Sequence, residues 1–377
     1  MRIVLLFLLA LFLSIPQIYA QEDSTKSKLV QLLDFSNGKP AKNIGDALIS
    51  GRILLNSRFR TWISADDAFL TAYALTVGTN VGYMTQKFKG FQFYAELENT
   101  FSFNPSLYND LLGANPERSI VVDPEVTELN GLWLSYDRNI GKGNIRVKLG
   151  RHRAVLEDER FIGAVEGRQD DQTFDGVAIK YETKKFVTEY AYVNQINRIY
   201  ANQLNWNSNS HIAGAAYKFG KIGRLAAFVH LFDFQGDADF NNSQTYGITF
   251  DLYELPPDRL AFDYQLGLAY QMDYADNPID YGLPWLNFEL GLFTPVLGKF
   301  SFGYELAGSD DGRVGFKFPL STGQRLHRLS DKFIDTPDFG VQDIQFLFEP
   351  KPLPLGFFAW MAYHLYYAQE GGKHLGQ

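Results

Sequence analysis

The stretch from Gly51 to Ile63 reads GRILLNSRFRTWI, and two different rows of side chains are interleaved in it. One row is Ile53, Leu55, Ser57, Phe59, Thr61 and Ile63; the other is Arg52, Leu54, Asn56, Arg58, Arg60 and Trp62. Successive side chains of a β-strand point to opposite faces, so a strand here turns one face to lipid and the other to water. The pattern returns from Thr71 to Tyr83, where Tyr73, Leu75, Val77, Val81 and Tyr83 alternate with Ala72, Ala74, Thr76, Gly78, Asn80 and Gly82, a nearly all-small inward row. It returns again in Phe91, Phe93, Ala95 and Leu97 against Gln92, Tyr94, Glu96 and Glu98, and in Ile145, Val147 and Leu149 against Asn144, Arg146 and Lys148. An apolar row for hydrocarbon and a polar row for a lumen is the dyad repeat of a transmembrane barrel.

A soluble β-sandwich also alternates, so the connections decide. Short links at 86–90, 138–143, 183–185, 220–223, 294–299 and 350–354 alternate with longer ones at 104–125, 152–173, 197–210 and 309–340. Strands that run up and down through an outer membrane are joined in this way, by short periplasmic turns and long extracellular loops. The segment 152–173 is then the third extracellular loop. About fifteen strands are expected, the last from about Leu355 to Tyr367. An odd count leaves the chain on the outer side, whereas single-chain bacterial barrels have an even number. The barrel is therefore expected to continue past Gln377 by about three strands.

The fold class is thus all-β, a transmembrane antiparallel up-and-down β-barrel. Residues 1–20 read as a secretory signal peptide: Arg2, an apolar run from Ile3 to Ile15, and a short polar segment ending at Ala20. That run falls short of the roughly 20 residues a spanning helix requires. Residues 21–48 form a periplasmic N-terminal segment, too short for a plug domain, and 49–377 the barrel. The absence of Cys removes disulfides, thiolate metal sites and lipidation. A net charge of -8 argues against nucleic acid as a partner. Aromatic residues make up 15%, with 32 Phe and 21 Tyr, which suits aromatic girdles at two membrane interfaces.

Two segments carry a family pattern. The first runs from Gly150-Arg151 through Glu157-Asp158-Glu159-Arg160-Phe161-Ile162-Gly163 and Gly167-Arg168-Gln169 to Gln172-Thr173-Phe174-Asp175. The second is Phe316-Lys317-Phe318-Pro319-Leu320, then Leu326-His327, Asp331-Lys332-Phe333, Thr336-Pro337 and Gly340-Val341-Gln342-Asp343. Both resemble the alginate-export family of outer-membrane porins, and the resemblance extends from the first strand to the end of the chain. Gly167 stands where that family often has Trp, and Lys317 where a neutral residue is common. The resemblance implies an 18-stranded monomeric barrel in the cell outer membrane. It also implies, for alginate-specific members, an arginine-rich constriction that draws an anionic polysaccharide outward with the help of periplasmic export machinery.

The candidate pore-lining residues are Arg52, Arg58, Arg60, Arg146 and Lys148 on inward rows, and Arg151, Arg160 and Arg168 in the third loop. In a porin-like barrel a long third loop commonly folds into the lumen. Arginine keeps its charge and offers a planar donor fork to carboxylates. Inward acids, namely Glu96, Glu98, Glu189, Asp263 and Glu289, and the loop acids Glu157, Asp158, Glu159, Asp170 and Asp171 compete for the same forks. Some arginines are expected to be held by acids and others to be open to solute. The expected function is a channel for an anionic, alginate-like polysaccharide or oligosaccharide. A general diffusion porin for small hydrophilic solutes is the alternative, and an outer-membrane hydrolase or a structural or receptor barrel is the alternative from another class. The six histidines are scattered and no Gly-x-Ser-x-Gly elbow or calcium-loop spacing occurs, so no enzyme, cofactor or metal is expected.

Overall fold

A computed structural model describes residues 40–65, 68–113, 115–154, 159–165, 167–201, 203–252, 259–321, 335–351 and 359–371. The signal-peptide segment lies outside them. A short helix, α1 (Ile44–Ile49), precedes the sheet and is capped by the Asn43 side chain, which accepts from the Asp46 amide. The strands are β1 (Arg52–Ser64), β2 (Ala72–Met84), β3 (Phe91–Ser102), β4 (Val126–Ile140), β5 (Gly143–His152), β6 (Thr173–Glu182), β7 (Phe186–Asn197) and β8 (Trp206–Lys218). They continue as β9 (Arg224–Phe232), β10 (Ser243–Asp251), β11 (Ala261–Asp273), β12 (Gly282–Thr294), β13 (Gly298–Ala307), β14 (Val341–Pro350) and β15 (Met361–Ala368). Each pairs antiparallel with the next in one 15-stranded sheet, in sequence order. Among the described residues no ladder joins β1 to β15.

The link lengths separate the two ends of the sheet. Between β4 and β5 stand only Gly141 and Lys142, with Gly141 at φ +60, the positive φ that a tight hairpin of the right twist requires at its first central residue. The longest links, 103–125, 153–172 and 308–340, follow odd-numbered strands, and the shortest follow β4, β6 and β12; the links after β10 and β14, at 252–260 and 351–360, are longer than the alternation of short turns predicts. The third loop after an odd-numbered strand occupies 153–172, because β5 runs on through Arg151 and His152. The last strand begins at Met361 rather than near Leu355, and residues 352–358 lie outside the described set.

Exposure separates a membrane barrel from a sandwich. On β3 the exposed row is Phe91, Phe93, Leu97 and Phe101, while Tyr94, Glu96, Glu98 and Thr100 are buried. Leu55, Phe59, Ile63, Leu97 and Leu149 are each more than half exposed. A large contiguous apolar surface of this kind is unstable in water and is what hydrocarbon solvates. Ring pairs Phe91–Tyr136, Tyr217–Phe219 and Phe300–Phe348, at 4.7, 4.8 and 4.4 Å, collect at the short-link end. Phe59, Phe101 and Phe103 cluster at the other end. Two aromatic belts mark two interfaces.

The concave face is filled toward the long-loop end. One apolar cluster there joins Phe161 and Ile162 of the third loop to Phe228, Phe232, Trp285 and Phe316. Inward rows of β9 and β12 are therefore apolar near the long loops, a departure from simple polar-in alternation. They face another piece of protein, and not water.

Candidate functional site

The described residues of the third long loop, 153–154, 159–165 and 167–172, lie in the interior and are held at both sides. On the side of β1 to β4 the contacts are polar. The Arg60 guanidinium reaches Asp123 at 3.0 Å and the Gly167 carbonyl at 2.9 Å. Gln169 accepts from Arg58 Nε at 3.0 Å, donates to Thr76 Oγ1 at 3.0 Å, and its backbone N–H donates to Asp123. The small row of β2 has its reason here, since a Cβ on Gly78 would lie 2.6 Å from the Gln169 amide oxygen. Arg153 bridges Glu96 at 2.7 Å and Asp171 at 2.6 Å.

A β-bulge supplies another of these contacts. The β3–β4 register slips between Glu96 and Leu97, so that Asn130 has no partner across the ladder. An extra residue re-aims the side chains around it. Asn130 is fully buried and donates to Glu98, with Glu96 at 3.3 Å, while Asn80 donates to Glu98 at 2.7 Å. Asp170, buried in the loop, accepts from the Ala201 amide at 3.0 Å. Burial first, then repulsion from Glu128, pushes the Asp170 carboxyl up to about 8.

On the far side the loop is held by apolar packing around the Arg160–Glu305 ion pair. Phe161 contacts the rings of Phe228 and Trp285 at 4.8 and 5.1 Å. Ile162 pairs with Leu320 of the β13–β14 loop, and Gln172 donates to both Gly163 O and Leu320 O. Arg160 meets Glu305 of β13 at 2.6 Å, and Trp285 Nε1 donates to the same carboxylate at 2.7 Å. The β13–β14 loop is itself clasped by Gln271, whose amide donates to Lys317 O and accepts from Lys317 N.

The residues expected to line a pore fall into three groups. Arg52, Arg58 and Arg60 share the inward row of β1, and Arg146 and Lys148 that of β5. Arg146 forks onto Asp137 at 2.9 and 3.0 Å, and Lys148 lies 4.9 Å from the Trp133 ring centroid. Arg160 and Arg168 are buried in the third loop. Arg160 pairs with Glu305, an acid on a distant strand that the sequence did not single out; Glu157 and Asp158 lie outside the described residues.

Arg151 requires correction. It falls two positions after Leu149 on the row turned away from the lumen, where it binds Asp175 through Nε and Nη2 at 2.7 and 2.9 Å and the Leu129 carbonyl at 2.8 Å. The strand continues where a loop was expected, and continuing the period would have placed it correctly. Asp123, Trp285, Glu305 and Gln271 were not singled out by sequence. Nothing local distinguishes an inward Glu305 or Trp285 from other polar and aromatic residues of the same row.

The interior offers charge and hydrogen-bond donors. His152, His211, His230 and His364 are dispersed over different strands, and among the described residues no group of three His, Asp or Glu is arranged to hold a metal.

Comparison with known proteins agrees with this geometry. The family model described as alginate export matches residues 58–282, more than half of the chain. No curated protein matches the sequence. Solved outer-membrane porins are similar in fold. OccD3 (OpdP) of Pseudomonas aeruginosa is 12% identical with a TM-score of 0.59, covering 85% of this chain and 74% of its own. OccAB3 of Acinetobacter baumannii is 15% identical with a TM-score of 0.58, covering 83% of this chain and 81% of its own. OpdK of Pseudomonas aeruginosa, solved with vanillate, is 12% identical with a TM-score of 0.60, covering 85% and 83%.

Proposed function

The chain belongs to the alginate-export family of outer-membrane β-barrels, and from that premise we propose that this channel passes an anionic, uronate-rich polysaccharide or oligosaccharide. That it is an outer-membrane channel and not an enzyme follows from the family. The observation that carries the anionic cargo is a pair of inward cations, Arg52 on β1 and Lys148 on β5, that make no ion pair with an acid among the described residues.

The third-loop arginines hold the loop in place. Arg153 and Arg160 each commit their forks to carboxylates, which leaves recognition to the wall. A carboxylate chain handed between weakly binding, hydrated cations is attracted without being trapped, as conduction requires. Arg58, between Arg52 and Arg60 on the same row, is tied to Gln169 and belongs with the groups that hold the third loop.

One observation favours a general diffusion pore instead. The opposite wall carries Asp263 and Glu289 around Lys299, at 2.5 and 3.7 Å, so charge of both signs lines the lumen. The two readings separate in planar bilayers. Arg52→Gln with Lys148→Gln should move the reversal potential in a salt gradient toward cation preference and weaken block by uronate oligosaccharides, more at low salt, where screening is weaker. Unchanged selectivity in the folded double variant would establish the diffusion pore.

A further inference from the structure

The link between β7 and β8 contains an arginine of a different kind. Arg198 follows β7 by one residue, and its guanidinium lies 3.9 Å from the Trp206 ring centroid and 4.6 Å from that of Tyr200. Trp206 opens β8 opposite Ile196 on the inward row and packs its other contacts on Phe234 at 4.9 Å, so the apolar core fixes its ring. Tyr200 is buried, and the Arg198 backbone N–H is tied to Asn205 Oδ1 at 2.8 Å. The loop is docked on the third loop through the Ala201 amide and Asp170. Every element of this aromatic seat is held in place before any solute arrives.

The charge itself is not matched. Among the described residues the Arg198 side chain makes no ion pair, and its contacts are the two aromatic faces. Burial disfavours its cation, and Tyr200 and Asp335 act in its favour. Aromatic faces attract a guanidinium through its plane and leave the in-plane N–H donors to other partners. The vacant partner for such a fork is a planar anion that accepts two parallel hydrogen bonds, which a carboxylate does and a hydroxyl does not.

We propose that Arg198, with Tyr200 and Trp206, is a binding site for the carboxylate of a uronate residue at the long-loop end of the barrel. This deepens the anionic-saccharide reading and rests on it for the identity of the solute. The aromatic rings hold the fork rigid and leave its in-plane donors to the carboxylate.

The test uses full-length protein in detergent micelles, with trigalacturonate and its fully methyl-esterified form as probes in isothermal titration calorimetry. Wild type should bind the acid and bind the ester far more weakly. Arg198→Gln should lower affinity for the acid by about tenfold or more, the scale of a charge-assisted hydrogen-bonded pair. Arg198→Lys should lose a comparable amount, because a compact ammonium neither forks nor stacks. Heat-modifiable gel mobility verifies that each variant is folded. Equal affinity in wild type and Arg198→Gln, equal binding of acid and ester, or no binding by wild type overturns the site. Arg198-dependent binding alongside unchanged ion preference in the Arg52 and Lys148 double variant would sink the anionic-channel reading and leave the site standing.

Discussion

Replacing Glu305 by Gln should release the third loop from the wall of the barrel. The side chains of Arg160 and Glu305 are 9% and 3% exposed, and their charged atoms are 2.6 Å apart. At an effective dielectric of about 20, unit charges at that separation attract by about 6 kcal/mol. Desolvation of both groups offsets most of that gain, yet breaking a buried pair by removing one of its charges costs about 3 to 5 kcal/mol. The introduced amide can still accept from Trp285 Nε1, so the variant isolates the loss of charge from the loss of that hydrogen bond. Phe161, the next residue after Arg160, sits in the apolar cluster against Trp285, and it should loosen together with Arg160. Urea-dependent folding in micelles, read by gel mobility, should show a loss of about 3 kcal/mol, at the lower end of that range, and single-channel records should show higher conductance and more noise. Arg160→Met together with Glu305→Gln should recover much of the stability, because a buried pair removed whole is often neutral. The reasoning is refuted if Glu305→Gln stays within about 0.5 kcal/mol of wild type, the range of an ordinary surface change, with a quiet channel.

Membrane-facing and lumen-facing rows should respond oppositely to charge. Leu75→Arg or Val147→Arg should cost about 2 to 4 kcal/mol in assembly, whereas Asn56→Arg or Gln92→Arg should be tolerated, and equal tolerance at both sets would overturn the assignment of the rows. The loop should also sense pH through Asp170. Its carboxyl is raised in the folded state from 3.8 to about 8, so the folded state binds more protons than the unfolded one between those values. The sign follows: this contribution is fully present below 3.8 and is lost as pH rises toward about 8. Asp170→Asn should flatten the decline of stability over that window, and an unaltered profile would show that Asp170 is not responsible for it.

The period of two was legible without coordinates because it is a property of the strand backbone alone. Leu75, Val147, Asn56 and Lys148 needed only their neighbours in sequence to be assigned a face. The long and short links added direction, and the aromatic content announced interfaces. The periodic signal failed where the period itself was broken or misjudged. Arg151 was read as loop although β5 continues through it, and the bulge at Asn130 turns a side chain inward at a position alternation cannot foresee. The site depended on contacts with no local signature. Arg58 and Gln169 are 111 residues apart, and Gln172 and Leu320 are 148 apart. Whether an arginine of the third loop meets solute or a carboxylate depends on which strand the curved sheet brings opposite it. The sequence by itself determined a membrane barrel with a polar interior and an apolar exterior. Only the tertiary structure decided which cations that interior commits to its own loops and which, such as Arg52, Lys148 and Arg198, make no ion pair with an acid among the described residues.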